Sequence, residues 1–298
     1  MDNKKTINDI TMYKGDCLEV MDRLVGQGVV VDAIITDVPY QSTACDWDFL
    51  IPFNNHIMIQ KGKKQVPMYK DEWVLKESRE TNKTTTQLDK EFDYLSSEGM
   101  WQKLNKLIKP NGAIVLFGSE PFSSALRMSN IKNYKYDSKW DKVRGSNFAT
   151  VKKRPFNSFE DIAVFYKKQP VYNPQMWKGE PYTQKQGYVG ESKQTGLKRK
   201  EVITVSNGDR YPLSIIRNSK ETGLHPTQKP VELMEYLIKT YTNENETVLD
   251  FTSGSGTTGV ACVNTNRKGI MIEQDEKYFN IAKERIEKAY DDKGLFDG

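Results

Sequence analysis

The sequence predicts an α/β protein built on a doubly wound, mostly parallel sheet, and three observations carry that expectation. Short apolar runs of strand length, ending in Gly or Asp, alternate with stretches of helical periodicity. These runs are near-continuous in apolar residues, as strands covered on both faces require. The last third of the chain passes from such a run through a glycine-rich turn into a helix. At 298 residues the chain accommodates one large α/β domain with an appended module, or two small domains.

Taken in order, TMYKGD (11–16) reads as a strand that leads into the amphipathic helix CLEVMDRL, and VDAIITD (31–37) as the next strand. Residues 50–95 are polar, rich in Lys, Thr and Gln, and read as an insertion. The spacing predicts a helix over 96–112 that stops at Pro-Asn-Gly, then a strand at AIVLFGS (113–119) and a helix from PFSSALRMS. YKYDSKWDK (134–142) and DIAVFYKK (161–168) read as two β segments, expected as an antiparallel pair at one sheet edge. From Pro170 to Gly223 the periodicity fades into Gly, Gln, Lys, Tyr and Ser, which suits either a small module or a long loop region. Order returns with PVELMEYLIKTYT (230–242), a helix with Pro in its first turn. TVLDFTSGSGTTGVACVNTN (247–266) follows as strand, turn and helix, and KGIMIEQDEKYFNIAKERIEKAY (268–290) as a strand and a final amphipathic helix.

Composition narrows the function classes. Three cysteines far apart, no CxxC and only two histidines leave no set for a structural zinc site, so no metal is expected. The thiols suit a reducing compartment, and the N-terminus lacks the apolar segment of a signal peptide. No stretch approaches transmembrane length, so the expectation is a cytoplasmic protein without a membrane. Net charge is only +4, yet 134–155 and 193–200 are strongly basic and interleaved with aromatic or small polar residues. Lys152, Lys153, Arg154, Lys198, Arg199 and Lys200 could neutralise phosphates, or simply form a solvated face. Tyr172, Trp177, Tyr182 and Tyr188 suit groove contacts and a small module's own core equally well.

Within LDFTSGSGTTGVA, Gly254, Gly256 and Gly259 form a GxGxxG between strand and helix, and Glu273 ends the next strand about 20 residues on. Glycines let a backbone approach a ligand, and a carboxylate at that strand end can hold two vicinal hydroxyls. The same glycines would also serve a tight turn with close helix–strand packing. A dinucleotide fold needs further parallel strands after this unit, and only the strand that Glu273 ends and one further helix remain. Asp250 puts an acid where a pyrophosphate would be repelled, which suits a ligand with a cationic end, such as S-adenosylmethionine.

The run IITDVPY (34–40) adds a buried-looking strand that stops at an acid. Asp37 and Pro39 alone would make an ordinary turn. With the glycine-rich turn, however, DVPY resembles the [DNS]PP[YFW] motif of DNA amino-methyltransferases of the beta order, in which that motif comes early and the cofactor motif last. GLHPTQKPVELMEYLIK (223–239) is similar to the family's HPTQKP segment, and GDCLEVM (15–21) to its adenine-side strand end. The chain departs from the pattern twice: Val38 stands for the first proline, and Thr252 for the aromatic that often opens FxGxG, with Phe251 one place earlier.

The resemblance implies a Rossmann-like, circularly permuted methyltransferase fold with a target-recognition insertion. Catalytic and cofactor-binding residues would fall in 1–169 and 224–298, and target recognition in 170–223. It implies methyl transfer from S-adenosylmethionine to the N6 of a flipped adenine in double-stranded DNA. Asp37, Val38, Pro39 and Tyr40 would be catalytic: Asp37 and the Val38 carbonyl accept from the amino group, and Tyr40 stacks on the base. Asp16 would meet the adenine of the cofactor and Glu273 its ribose. Asp250, Thr252, Gly254 and Gly256 would hold the methionine end, and Lys229, with Thr227 and Gln228, would reach its carboxylate. A homodimer and a cognate restriction endonuclease are further implied partners. No cysteine follows a proline, which sets cytosine C5 chemistry aside. Cytosine N4, RNA, and a DNA-binding protein with a degenerate DVPY site stay as alternatives, the last because Val38 does not lock φ.

Overall fold

The computed structural model describes residues 4–39, 51–54, 56–61, 64–81, 83–88, 92, 98–146, 148–186, 190–191, 198–199, 202–221, 223–224 and 227–296. It separates into two compact units, Met1–Tyr172 with Ser214–Gly298, and Asn173–Leu213.

The larger unit is organised on a nine-stranded sheet among the described residues. Its strands are β1 (Lys4–Ile7), β2 (Ile10–Lys14) and β3 (Val31–Thr36). After the insertion hairpin β4 (His56–Lys61) and β5 (Lys64–Tyr69) come β6 (Ile108–Gly118), β7 (Tyr134–Ser146) and β8 (Asn157–Phe165). The smaller unit holds β9 (Trp177–Lys178), β10 (Tyr182–Gln186), β11 (Gly190–Glu191), β12 (Lys198–Arg199), β13 (Val202–Ser206) and β14 (Asp209–Arg210). The sheet is completed by β15 (Ile215–Arg217), β16 (Thr247–Asp250) and β17 (Lys268–Glu273). Its order is β1-β2-β17-β16-β3-β6-β8-β7-β15. The pairs from β2 to β6 are all parallel, whereas β8 runs antiparallel to both β6 and β7. The antiparallel pair expected from 134–142 and 161–168 is β7 with β8, and the short β15 adds outside β7.

The side-chain alternation of these strands feeds two apolar layers, as a period of two dictates. Ala33, Ile35, Val115 and Phe117 point into one, with Leu233, Leu237, Ala261, Ala282 and Ile286 of the helices Val231–Tyr241, Thr257–Asn264 and Glu276–Phe296. Val31, Ile34, Ile114 and Leu116 point into the other, with Val20, Met21, Trp101, Leu104 and Leu126 of the helices Cys17–Gly26, Met100–Leu107 and Phe122–Ser129. Cys17 and Cys262 are buried in these layers, where burial pushes both thiols up, and Cys45 lies outside the described residues.

The helix expected over 96–112 is shorter than predicted, Met100–Leu107, and β6 starts at Ile108. Pro-Asn-Gly sits inside that strand as a register shift against β3. A side chain on Gly112 would come within 2.6 Å of the Asp32 carbonyl, so glycine there permits a close strand approach rather than a helix stop. The 50–95 insertion carries its own apolar nucleus of Met68, Trp73, Leu88 and Phe92, beneath the helix Lys70–Glu80. No described helix is long and apolar enough to cross a membrane.

Candidate active site

Because β2, β17, β16 and β3 are neighbours and parallel, their carboxyl ends share one edge of the sheet. Asp16, Glu273, Asp250 and Asp37 stand at or just beyond those four ends, in that order. Strand polarity thus gathers four acids whose sequence positions span most of the chain. This is the edge at which open α/β sheets bind ligands.

Asp250 is buried and accepts from three threonine groups. The Thr36 hydroxyl donates to Oδ1 at 2.6 Å, the Thr252 amide donates to Oδ1 at 3.1 Å, and the Thr258 hydroxyl donates to Oδ2. Burial pushes this carboxyl above the usual range while those donors pull it back. The Thr252 hydroxyl, 2.6 Å from that of Thr36, donates to the main-chain carbonyl of Asp37 at 3.0 Å. The glycine-rich turn and the end of β3 at Asp37 are therefore tied by one hydroxyl, at the position where the chain departs from the FxGxG pattern.

At Asp37 the side chain itself is divided. Oδ2 is bound by the Lys229 ammonium, whereas Oδ1 is buried with no hydrogen-bond partner among the described residues. Lys229 also lies 3.2 Å from Glu160 Oε2, and its ammonium sits 5.0 Å from the Phe117 ring centroid and 5.8 Å from that of Trp140. Lys142 lies 3.4 Å from Glu160 Oε1. Burial pushes Asp37 up to about 6 despite the opposing charge of Lys229, with Glu160 and Asp250 adding to the rise. Glu160 is held below its usual range: burial opposes this, but Lys229 and Lys142 prevail. Lys229 was expected at the cofactor's methionine end, and the structure places its ammonium on the Asp37 carboxylate.

The glycine turn is shaped as its sequence requires. Gly254 and Gly256 adopt φ of +51° and +78°. A Cβ on Gly256 would lie 2.6 Å from that of Ala282, so the final helix packs directly on the turn. From that helix Arg285 donates to the Ser255 carbonyl at 2.7 Å. Glu273 accepts from the amides of Gly254 at 2.7 Å and Asp275 at 2.8 Å, and burial pushes it up to about 7. Each oxygen keeps a lone pair for a further donor. Asp16 caps the helix Cys17–Gly26 through the amides of Leu18 and Glu19, and Gly15 beside it donates to the Glu273 carbonyl. Gln228 is buried, its amide donating to Glu221 at 3.0 Å, and Thr227 precedes it. Its Oε1, like the Ser253 hydroxyl, is buried without a hydrogen-bond partner among the described residues. Carboxylates for hydroxyls and a cationic end, with unmatched polar atoms beside the turn, fit an adenosyl sulfonium ligand.

Val38 and Pro39 follow Asp37, with Val38 buried against the second apolar layer, and Tyr40 lies outside the described residues. Lys152, Lys153 and Arg154 are exposed on a turn between β7 and β8. Lys198 and Arg199 form β12 in the smaller unit, and Lys200 lies outside the described residues. Sequence reasoning missed Glu160, Lys142, Thr36 and Thr258. The acid in SFEDIAVF, a strand otherwise destined for the core, was the available signal for Glu160.

The sheet order, with an acid at each of four adjacent parallel strand ends and an unmatched buried carboxylate oxygen on Asp37, is that of an open α/β sheet with its ligand edge lined by acids. The DNA methylase model of N6/N4 enzymes matches residues 31–284, and the chain belongs to that family. It is 25% identical to the type II methyltransferase M.HindIII of Haemophilus influenzae, over 92% of this chain and 94% of that one. It is 44% identical to the type II methyltransferase M2.LlaDCHI of Lactococcus lactis over 73 residues, which span 24% of this chain and 27% of the relative. Among solved structures, the M1.HpyAVI–SAM complex superposes with a TM-score of 0.55 at 28% identity, covering 93% of this chain and 99% of the other.

Proposed function

We propose that this protein transfers a methyl group from S-adenosylmethionine to the exocyclic N6 of an adenine extruded from double-stranded DNA. The observation that carries the reading is Asp37, whose Oδ1 is buried and unmatched while Oδ2 is held by Lys229. An adenine amino nitrogen is a poor nucleophile because its lone pair is delocalised into the ring. Asp37 Oδ1 and the Val38 carbonyl, as paired acceptors, draw that nitrogen toward tetrahedral geometry and expose the lone pair. When bound, S-adenosylmethionine supplies an electrophilic methyl on sulfur, and positioning provides much of the rate. The nitrogen–carbon bond forms as the sulfur–carbon bond breaks, and the surplus proton leaves to Asp37 or water. Glu273, Asp250 and the turn Thr252–Gly256 hold the donor, and Asp16, Thr227 and Gln228 complete its pocket.

Val38 supports retained catalysis rather than a degenerate site. It is 1% exposed, so packing fixes the loop where a proline ring would otherwise do so, and Pro39 restricts its backbone to extended geometry. Adenine is favoured over cytosine by the acid at the first motif position. Lys152, Lys153, Arg154 and the basic residues at 198–200 contact phosphates, and the unit 173–213 reads the target sequence. The type II names of the relatives support a cognate restriction endonuclease in the same cytoplasm.

The test is to incubate the purified protein with tritiated S-adenosylmethionine and unmethylated genomic DNA, digest to nucleosides and separate them. Label in N6-methyladenosine is the expected result, lost in Asp37→Ala. Label in N4-methylcytidine keeps the chemistry and overturns the base, and no label overturns the reading.

A further inference from the structure

The β7–β8 hairpin presents an aromatic side chain that the reaction as described does not use. Phe148 is 81% exposed, the most exposed large apolar side chain among the described residues. Its aromatic neighbours on the hairpin, Phe156 and Phe159, are half-exposed, and each covers part of the hairpin itself. Phe156 lies over Gly145, where a Cβ would come within 2.3 Å of it, and Phe159 sits under the Lys139 ammonium at 5.7 Å.

The hairpin's place in the sheet puts Phe148 at the active-site edge. β8 runs antiparallel to β6, so its first residues stand beyond the carboxyl edge that carries Asp37. A chain of polar contacts links the two: Asp37 to Lys229, Lys229 to Glu160, Glu160 to Lys142, and Lys142 to Ser146 at 3.3 Å. Ser146 pairs with Asn157, three residues beyond Glu160 along β8, or about 10 Å. Phe148 follows two residues later.

The overhang is bent and braced. Between Asp141 and Ser146, β7 takes five steps while β8 takes two, from Phe159 to Asn157, which is a large bulge. Inside it Val143 has φ +64°, a strained value for a β-branched residue, fixed by its amide donating to Asp141 at 2.9 Å. Beyond it, the 3-10 turn Phe148–Thr150 is closed by the Val151 amide on the Phe148 carbonyl, and the Lys153 and Arg154 amides on that of Thr150. Arg144, Lys152, Lys153 and Arg154, all exposed, lie within six residues of Phe148 on the same hairpin. An exposed apolar ring on a hairpin that also carries cations, beyond the carboxyl edge of the sheet, has the chemistry of a wedge for a stacked polyanion.

We infer that Phe148 inserts into the base stack of duplex DNA and fills the gap left by the extruded target base. The inference rests on the base-extrusion reading of the active site. Its action belongs to opening the duplex, not to methyl transfer itself, so its loss is felt only where a paired base must be displaced.

The test uses a duplex carrying the sequence methylated in genomic DNA, and the same duplex with an abasic site opposite the target base. Single-turnover methyl transfer is measured with wild type, Phe148→Ala and Phe148→Leu. Phe148→Ala is expected to slow transfer about 10- to 100-fold on the paired duplex and less than about 3-fold opposite the abasic site. Phe148→Leu is expected to recover most of the loss. Equal losses on both substrates would reduce Phe148 to an ordinary DNA contact, and no loss on the paired duplex would remove its role altogether. A wild-type protein inactive on both duplexes would sink the methyl-transfer reading, and the wedge with it.

Discussion

The hydroxyl of Thr252 donates to the main-chain carbonyl of Asp37 at 3.0 Å, joining the glycine-rich turn late in the chain to the DVPY run near its start. An aromatic at position 252 could not make this bond, so the departure from FxGxG replaces a ring contact with a hydrogen bond. Thr252→Val keeps the volume and leaves the Asp37 carbonyl unmatched. The expected cost is about 1–2 kcal/mol of stability, read by denaturant titration, with a fall in kcat larger than any rise in the KM for S-adenosylmethionine. A variant that changed only that KM would place Thr252 in cofactor binding alone.

Lys229 holds two carboxylates together, which makes its removal a pH-dependent defect. Lys229→Met leaves Asp37 and Glu160 facing each other without their shared cation, with an expected loss of about 3 kcal/mol at pH 8. The sign follows from Asp37, whose folded value of about 6 lies above its ordinary one. Such a group costs stability above its folded pKa and none below its unfolded value near 3.9. Without Lys229 the folded pKa rises further, so the defect should shrink as pH falls toward 5. Parallel melts of wild type and variant at the two pH values check this.

Gly256→Ala meets two obstacles at once, a left-handed φ of +78° and an Ala282 Cβ at 2.6 Å. The expected loss is about 2–3 kcal/mol, with weakened S-adenosylmethionine binding by calorimetry. Ala282→Gly in the same chain should recover only a fraction of the steric part, because the Cα of residue 282 would still lie 2.8 Å from the added Cβ, and none of the backbone part.

Replacing Lys152, Lys153 and Arg154 together by Ala should weaken binding to duplexes of any sequence. The slope of log affinity against log salt should fall by about 2–3, as for three lost phosphate contacts. A loss confined to one sequence would assign these residues to base reading instead.

Much of the fold was legible because buried parallel strands and amphipathic helices announce themselves locally. VDAIIT, AIVLFG and KGIMIE carry both faces of the sheet in their composition, and Asp37, Asp250 and Glu273 mark where they stop. The 96–112 segment was misjudged because Gly112 serves a close approach to Asp32, a tertiary fact with the local appearance of a helix stop. Lys229 was tied to the cofactor by its motif, yet its ammonium is shared between Asp37 at the end of β3 and Glu160 on β8, both remote in sequence. Networks of this kind are assembled by strand order, and no local pattern encodes them.

The most direct measurement is the pH dependence of single-turnover methyl transfer for wild type and Asp37→Asn on one DNA substrate. An ionised Asp37 acceptor predicts a wild-type rate that falls about tenfold per pH unit below about 6. Asparagine keeps an acceptor oxygen without a titrating group, so a slower rate with no break near 6 is expected for the variant. An unchanged break in Asp37→Asn, or a wild-type rate flat through pH 5, would contradict Asp37 as the group that receives the amino hydrogen.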